Sequence, residues 1–309
     1  MVTKKEDHVR SLELDINSST RIENFVESVL DNTPSQSDMR FAEQVIEQGR
    51  AVIPALVKAV ASSPSEAVVL RGLPTFSGVA QTKILTLLLA DCVGRLTAYA
   101  DFNASVLTDI RPNAQSREQN AQPERLGMHN DFPFIADRSR PAFIVLVAHK
   151  ALGEIPRTLI APADALVERL DPETLACLQQ PRYTAVVGTK LAWREPRRFS
   201  FPLLVRTGEL WRVLYHFDTI STDPTLPADE FEVFDAARRR LGELADELGP
   251  QHGHALRKGE ALIVPNDHYL HGREQMETDR SDRLVFRAYA THADARPAWE
   301  SLMVRLDDE

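Results

Sequence analysis

The spacing of hydrophobic residues along the chain changes character near residue 105. Before that point apolar side chains recur three and four residues apart, the period of a helix packed on one face. Ser37 caps such a pattern from Met39 to Val60, and Gln81 to Tyr99 forms a second one. Between them Ala67-Val-Val-Leu-Arg-Gly-Leu-Pro74 is a short β-rich run closed by turn residues, which predicts a strand.

After residue 105 strand-like runs dominate: Val106 to Ile110, Ala142 to Ala148, Thr158 to Ala161 and Tyr183 to Val187. Phe201 to Val205 and Leu210 to Phe217 flank Arg206-Thr-Gly-Glu209, so they read as a hairpin. A charged amphipathic helix over Asp229 to Leu248 interrupts, and strands return at Ala261 to Pro265 and Arg283 to Ala290. Asn113 to Glu124 is almost devoid of apolar residues and predicts a mobile surface loop. Many short strands preceded by helices point to an α+β chain built on a double β-sheet with a helical flank. The 309 residues are expected to form a single catalytic domain, with 1–104 as mainly helical flank and 105–290 as β core, the helix near 229–248 being an insertion.

Composition narrows the function more by exclusion than by indication. No apolar run approaches the roughly 20 residues that cross a bilayer, and the N-terminus Met-Val-Thr-Lys-Lys-Glu-Asp-His has charge but no secretory apolar stretch, so a cytoplasmic protein without a membrane partner is expected. The net charge of −9 and the absence of a basic cluster beyond Arg238 to Arg240 argue against a nucleic-acid partner. Cys92 and Cys177 read as reduced thiols, Cys92 inside an apolar helical pattern.

Candidate chemistry begins at Gly127-Met-His129-Asn-Asp131-Phe-Pro-Phe134. On a strand, residues i and i+2 share a face, which would let the His129 imidazole and the Asp131 carboxylate converge on one ion. A bare His-x-Asp is weak, and His216-Phe-Asp218 is a second one. Either could be a structural histidine held by a carboxylate. More weight comes from Gly259 to Arg273, where a strand leads to an Asn266-Asp turn and then to His271 beside Gly272. Further on, Arg283-Leu-Val-Phe-Arg287 puts two arginines on one face of a strand, which is costly inside a protein unless they meet anions.

Taken in order, His129-x-Asp131, His271-Gly-Arg273 and Arg283 resemble the Fe(II)/2-oxoglutarate dioxygenases of the taurine dioxygenase and clavaminate synthase-like group, over residues 105–290. The resemblance implies a double-stranded β-helix (jelly roll) core with flanking helices. It implies that His129, Asp131 and His271 bind Fe(II), and that Arg283 pairs with the distal carboxylate of 2-oxoglutarate, assisted by Thr158. Arg287 would touch either the co-substrate or an acidic group of the substrate, and Asp218 falls where related amino acid hydroxylases carry an acid facing a basic group. Two histidines and a carboxylate on one face of the metal leave positions for the 2-oxo acid and O2. Because halogenating relatives lack the carboxylate, the presence of Asp131 implies hydroxylation or another oxidative outcome rather than halogenation.

The expected substrate is a small molecule such as an amino acid or a specialised metabolite in a biosynthetic pathway. Trp193 and the Arg197-Arg198 pair are further pocket candidates, while His8, His149, His252, His254, His268 and His292 read as non-ligands. Two rival readings stay open at this point. The same ligand set suits Zn(II) in a metal-dependent hydrolase, although such a site needs no arginine clamp. A non-catalytic jelly-roll binding protein would use the histidines structurally.

Overall fold

The computed structural model describes residues 9–30, 45–50, 52, 65–97, 106–113, 121–134, 140–187, 197–276 and 281–292. In chain order its strands are β1 (Val9–Glu13), β2 (Ala67–Arg71), β3 (Arg95–Thr97), β4 (Leu107–Ile110), β5 (Leu126–His129), β6 (Phe143–Gly153), β7 (Thr158–Pro162) and β8 (Tyr183–Val187). They continue with β9 (Arg197–Phe201), β10 (Leu204–Thr207), β11 (Leu210–Val213), β12 (Ile220–Thr222), β13 (Ala261–Pro265), β14 (Tyr269–Arg273) and β15 (Ser281–Thr291).

Two sheets determine where the site lies. The larger has seven strands in the order β1-β2-β13-β6-β15-β3, with β4 also paired to β15; the smaller is β5-β14-β7. Alternation along each strand assigns its faces. Val145, Val147, Ile263, Ala288 and Ala290 point from the large sheet into a core built with the helices Ile16–Leu30 and Val79–Val93. Their neighbours Ile144, Leu146, Val264, Val285 and Tyr289 point the other way and pack with Ile160 and Tyr269 of the small sheet. The outer face of the small sheet, through Met128, Leu159 and Leu270, packs with the helix Ala228–Leu248. That helix buries Phe234, Ala237, Leu241, Leu244 and Leu248, one stripe at three- and four-residue spacing. Among the described residues, no helix is long and apolar enough to cross a membrane.

Several predicted boundaries move. The pattern read as a helix over Gln81 to Tyr99 stops at Val93. Gly94 takes up an extended backbone, and a Cβ there would stand 2.2 Å from the Thr291 carbonyl oxygen, so the chain lies flush against β15. Arg95–Thr97 then pairs with Tyr289–Thr291 as a strand, because the open edge of β15 offers backbone partners that a helix end lacks. The predicted hairpin forms as β10 and β11, but Phe201 belongs to β9, which pairs with β8. The helix read over Met39 to Val60 and the loop Asn113 to Glu124 lie largely outside the described residues. At the ends of that loop the Asn113 N–H donates to the Ala121 carbonyl and the Met276 N–H to the Pro123 carbonyl, each at 2.7 Å. Cys92 and Cys177 are both free thiols.

Candidate metal centre

His129 ends β5 and His271 sits in the middle of β14, and the two face each other in antiparallel register. Opposite residues of an antiparallel pair share a face, and their ring centroids lie 4.2 Å apart. The Nδ1 of His129 is 2.8 Å from the Gly127 carbonyl oxygen. A carbonyl can only accept, so Nδ1 carries the proton and Nε2 keeps its lone pair for a metal.

Asp131 arrives by a different route from the one the sequence implied. Strand β5 ends at His129, so the carboxylate is aimed by a turn and not by the strand pleat. Two buried asparagines shape that turn. Asn266 Oδ1 accepts the Asp131 N–H at 2.9 Å, while its Nδ2 donates to the Asp131 carbonyl at 2.8 Å. Asn130 donates to the carbonyls of Asn266 and Tyr269 and accepts the Tyr215 N–H at 2.9 Å. Phe132 follows with a φ of 55°, a left-handed conformation unusual for a bulky residue.

The result is a compact donor set. Asp131 Oδ1 lies 3.5 Å from His129 Nε2, and Oδ2 lies 3.7 Å from His271 Nε2. The ligand atoms of the three residues all fall within 4.8 Å of one another, and among the described residues no other group of His, Cys, Asp or Glu does this. Burial alone would push the Asp131 carboxyl up. The neighbouring His129 and the Arg287 guanidinium outweigh it and hold the group ionised, well below the usual carboxylate range. Burial and the neighbouring His129 push His271 down to about 3, so its imidazole is neutral and available as a ligand.

One pocket joins this cluster to the arginines. It runs from His129 and His271 past Thr158 to Arg273, Arg283 and Arg287, with Ile144 and Leu146 as apolar wall, and encloses about 430 Å3 including its opening to solvent. Arg283 is 5% exposed, and its Nε and Nη1 have no hydrogen-bond partner among the described residues. Burial and then Arg273 lower its pKa to about 10, which leaves it charged at neutral pH. A buried cation with unused donors is destabilising until an anion arrives. Arg273 is partly committed elsewhere: its Nη2 donates to the carbonyls of Gln122 at 2.6 Å and Glu124 at 3.0 Å, while its Nε has no partner among the described residues.

The comparisons with known proteins agree with this arrangement. The family model "Taurine catabolism dioxygenase TauD, TfdA family" matches residues 58–289. The chain belongs to this family. Two solved structures share the fold of this TauD/TfdA chain. Asparagine oxygenase in complex with Fe(II), 2S,3S-3-hydroxyasparagine and succinate superposes with a TM-score of 0.79 at 20% identity, covering 92% of this chain and 94% of that one. The non-heme iron oxygenase OrfP in complex with Fe and alpha-ketoglutaric acid gives 0.71 at 17% identity, with 92% and 94% covered. No curated protein matches the chain.

Within this TauD/TfdA chain the structure brings together His129, Asp131 and His271 and places Thr158, Arg283 and Arg287 along the adjoining pocket. Thr158 is 4% exposed, opposite Arg273 in register, and its backbone exchanges both hydrogen bonds with His254. Arg287 Nη1 lies 3.5 Å from Asp131 Oδ2. Asp218 is exposed and is not among the residues that line the pocket. The second His-x-Asp does not converge on a metal: His216 Nδ1 accepts the backbone N–H groups of Asp218 and Thr219, and its ring stacks on Phe217, 5.0 Å from the His129 ring. Trp193 lies outside the described residues, as do the side chains of Arg197 and Arg198. Sequence reasoning missed Asn130, Asn266 and Tyr289, the last of which donates to Asp131 Oδ2 at 2.7 Å. For Tyr289 a signal existed, since it continues the two-residue alternation of Arg283, Val285 and Arg287.

Proposed function

We propose that the chain is an Fe(II)- and 2-oxoglutarate-dependent oxygenase that hydroxylates a small molecule of amino acid type. The observation that carries this reading is the buried, charged Arg283 with two unused N–H donors, facing the same pocket as the His129, Asp131 and His271 donors. A zinc hydrolase has no use for such an anion clamp, and a binding module has no use for three converging ligands.

His129 Nε2, His271 and Asp131 would hold Fe(II), a set of two imidazoles and one hard carboxylate that suits this ion and leaves positions open for 2-oxoglutarate and O2. When bound, the iron would couple O2 and the oxidative decarboxylation of 2-oxoglutarate to oxidation of a substrate C–H. Arg283 would take the distal carboxylate of 2-oxoglutarate; a planar guanidinium fixes both position and orientation, and Thr158 lies along the same pocket to assist. Arg287, held near Asp131 Oδ2, would face either the co-substrate or an acidic substrate group. The apolar wall of Ile144 and Leu146 would exclude water from the reacting end of the pocket.

An amino acid substrate is favoured by the two structural neighbours, one described with a hydroxyasparagine and the other, OrfP, described also with (3S)-hydroxy-L-Arg. Asp218, on the exposed turn beside His216, would then meet a basic group of the substrate at the rim. The two sheets that enclose the site correspond in this reading to the walls of a jelly roll within a single catalytic domain.

Anaerobic addition of Fe(II) and 2-oxoglutarate to the purified apoprotein is the direct test. A weak visible charge-transfer band from an iron-bound 2-oxo acid is expected. Iron binding without that band would overturn the role of Arg283.

A further inference from the structure

Tyr289 stands on the site face of β15, two residues beyond Arg287, and is 4% exposed. Its hydroxyl donates to Asp131 Oδ2 at 2.7 Å, the geometry of a strong bond from a phenol to a carboxylate. The ring itself is fixed from two sides. The Arg287 guanidinium lies over it, 4.7 Å from the centroid, and Phe132 meets it edge-on at 5.9 Å. Arg287 Nη1 in turn approaches the same Oδ2 at 3.5 Å.

The two oxygens of Asp131 are therefore unequal. Oδ2 takes the phenol hydrogen bond and the guanidinium charge and lies 3.7 Å from His271 Nε2, while Oδ1 faces His129 Nε2 at 3.5 Å without either. Because Asn266 clamps the Asp131 backbone through both its N–H and its carbonyl, the remaining freedom of the carboxylate is rotation of its own side chain. The Tyr289 hydrogen bond arrests that rotation.

We propose that Tyr289 is a positioning residue that, together with Arg287, fixes the rotation of the Asp131 carboxylate so that it binds the metal through a single oxygen. The inference rests on the metal centre proposed above. A carboxylate that swung to offer both oxygens would take a second coordination position and leave fewer for the 2-oxo acid and O2. Groups that orient a ligand in this way commonly change metal affinity by about 10–100-fold when removed.

Tyr289→Phe removes the hydroxyl and keeps the ring that Arg287 and Phe132 pack against. Mn(II) is a suitable probe because its effect on water proton relaxation counts exchangeable waters, and no turnover is needed. Mn(II) should bind the variant about tenfold more weakly, and its exchangeable waters should fall from about three to about two, lowering the relaxivity by about a third. Equal affinity and equal relaxivity in Tyr289→Phe and the unsubstituted chain would overturn the proposal. Weaker binding with unchanged relaxivity would also overturn it, because the hydroxyl would then support the site without setting how the carboxylate binds. If the unsubstituted chain binds no Mn(II) and no Fe(II), the metal centre itself fails, which separates the two readings. Should circular dichroism show that Tyr289→Phe does not fold, Arg287→Lys loosens the same oxygen from its other side and is expected to lower the relaxivity in the same direction; no change there would count against the clamp.

Discussion

The two faces of β15 use opposite physics within one strand. Toward the helix Val79–Val93 it presents Ala288 and Ala290, fully buried in an apolar core, and beside them the fully buried Phe286, whose ring lies under Lys83 Nζ and near the His149 ring. Toward the small sheet it presents Arg283, Arg287 and Tyr289, nearly as buried but polar. The first face is complete as it stands. On the second, Arg283 leaves donors unused and Asp131 gathers two histidines, an arginine and a phenol around one carboxylate. Burial of that kind opposes stability unless a ligand is bound, which marks this face as the one kept for binding rather than for folding.

The comparison can be broken most sharply at the proposed metal donors. His129→Ala or His271→Ala is expected to abolish Fe(II) binding and turnover, with the circular dichroism spectrum of the apoprotein retained; full activity in either variant would sink the assignment. On the apolar face, Phe286→Ala should cost about 3–5 kcal/mol of unfolding free energy, read from chemical denaturation. Its ring is fully buried and lies beneath Lys83 Nζ at 5.3 Å.

Arg283→Met sharpens the contrast, because affinity and stability should move in opposite directions. The dissociation constant for 2-oxoglutarate should rise by roughly 30-fold or more, while the melting temperature of the apoprotein holds or rises once an unpaired buried cation is replaced by an apolar chain. An unchanged 2-oxoglutarate requirement would move the clamp to Arg287 or Arg273. The smallest effect belongs to His216→Ala. Its Nδ1 is occupied by backbone donors, so Fe(II) affinity measured by titration should change by less than about twofold; a large loss would show that the second His-x-Asp takes part in the centre after all.

Much of this was readable from local pattern. β13 and β8 appear at the predicted residues, and the helix Ala228–Leu248 begins one residue before its predicted start, because a strand or an amphipathic helix carries its period in its own residues. The arginine face of β15 was legible for the same reason. A β-bulge intervenes between Leu284 and Val285, yet the extra residue, His149, is on β6, so the alternation along β15 is preserved. The end of the helix at Val93 was not legible, since Arg95, Leu96 and Thr97 continue an apolar rhythm and the edge that captures them lies near the other end of the chain.

The sequence by itself determined the order of the chemistry: a histidine and an acid, a distal histidine beside glycine, then alternating arginines on one strand face. Only the tertiary structure decided that His129 lies opposite His271, that Asp131 reaches them through a turn braced by Asn130 and Asn266, and that Tyr289 closes on one oxygen of the carboxylate. The reason lies in the range of the forces. Periodicity is set by neighbours along the chain, whereas the register between two strands and the partners of a buried asparagine or tyrosine depend on residues that meet only after the sheets have paired.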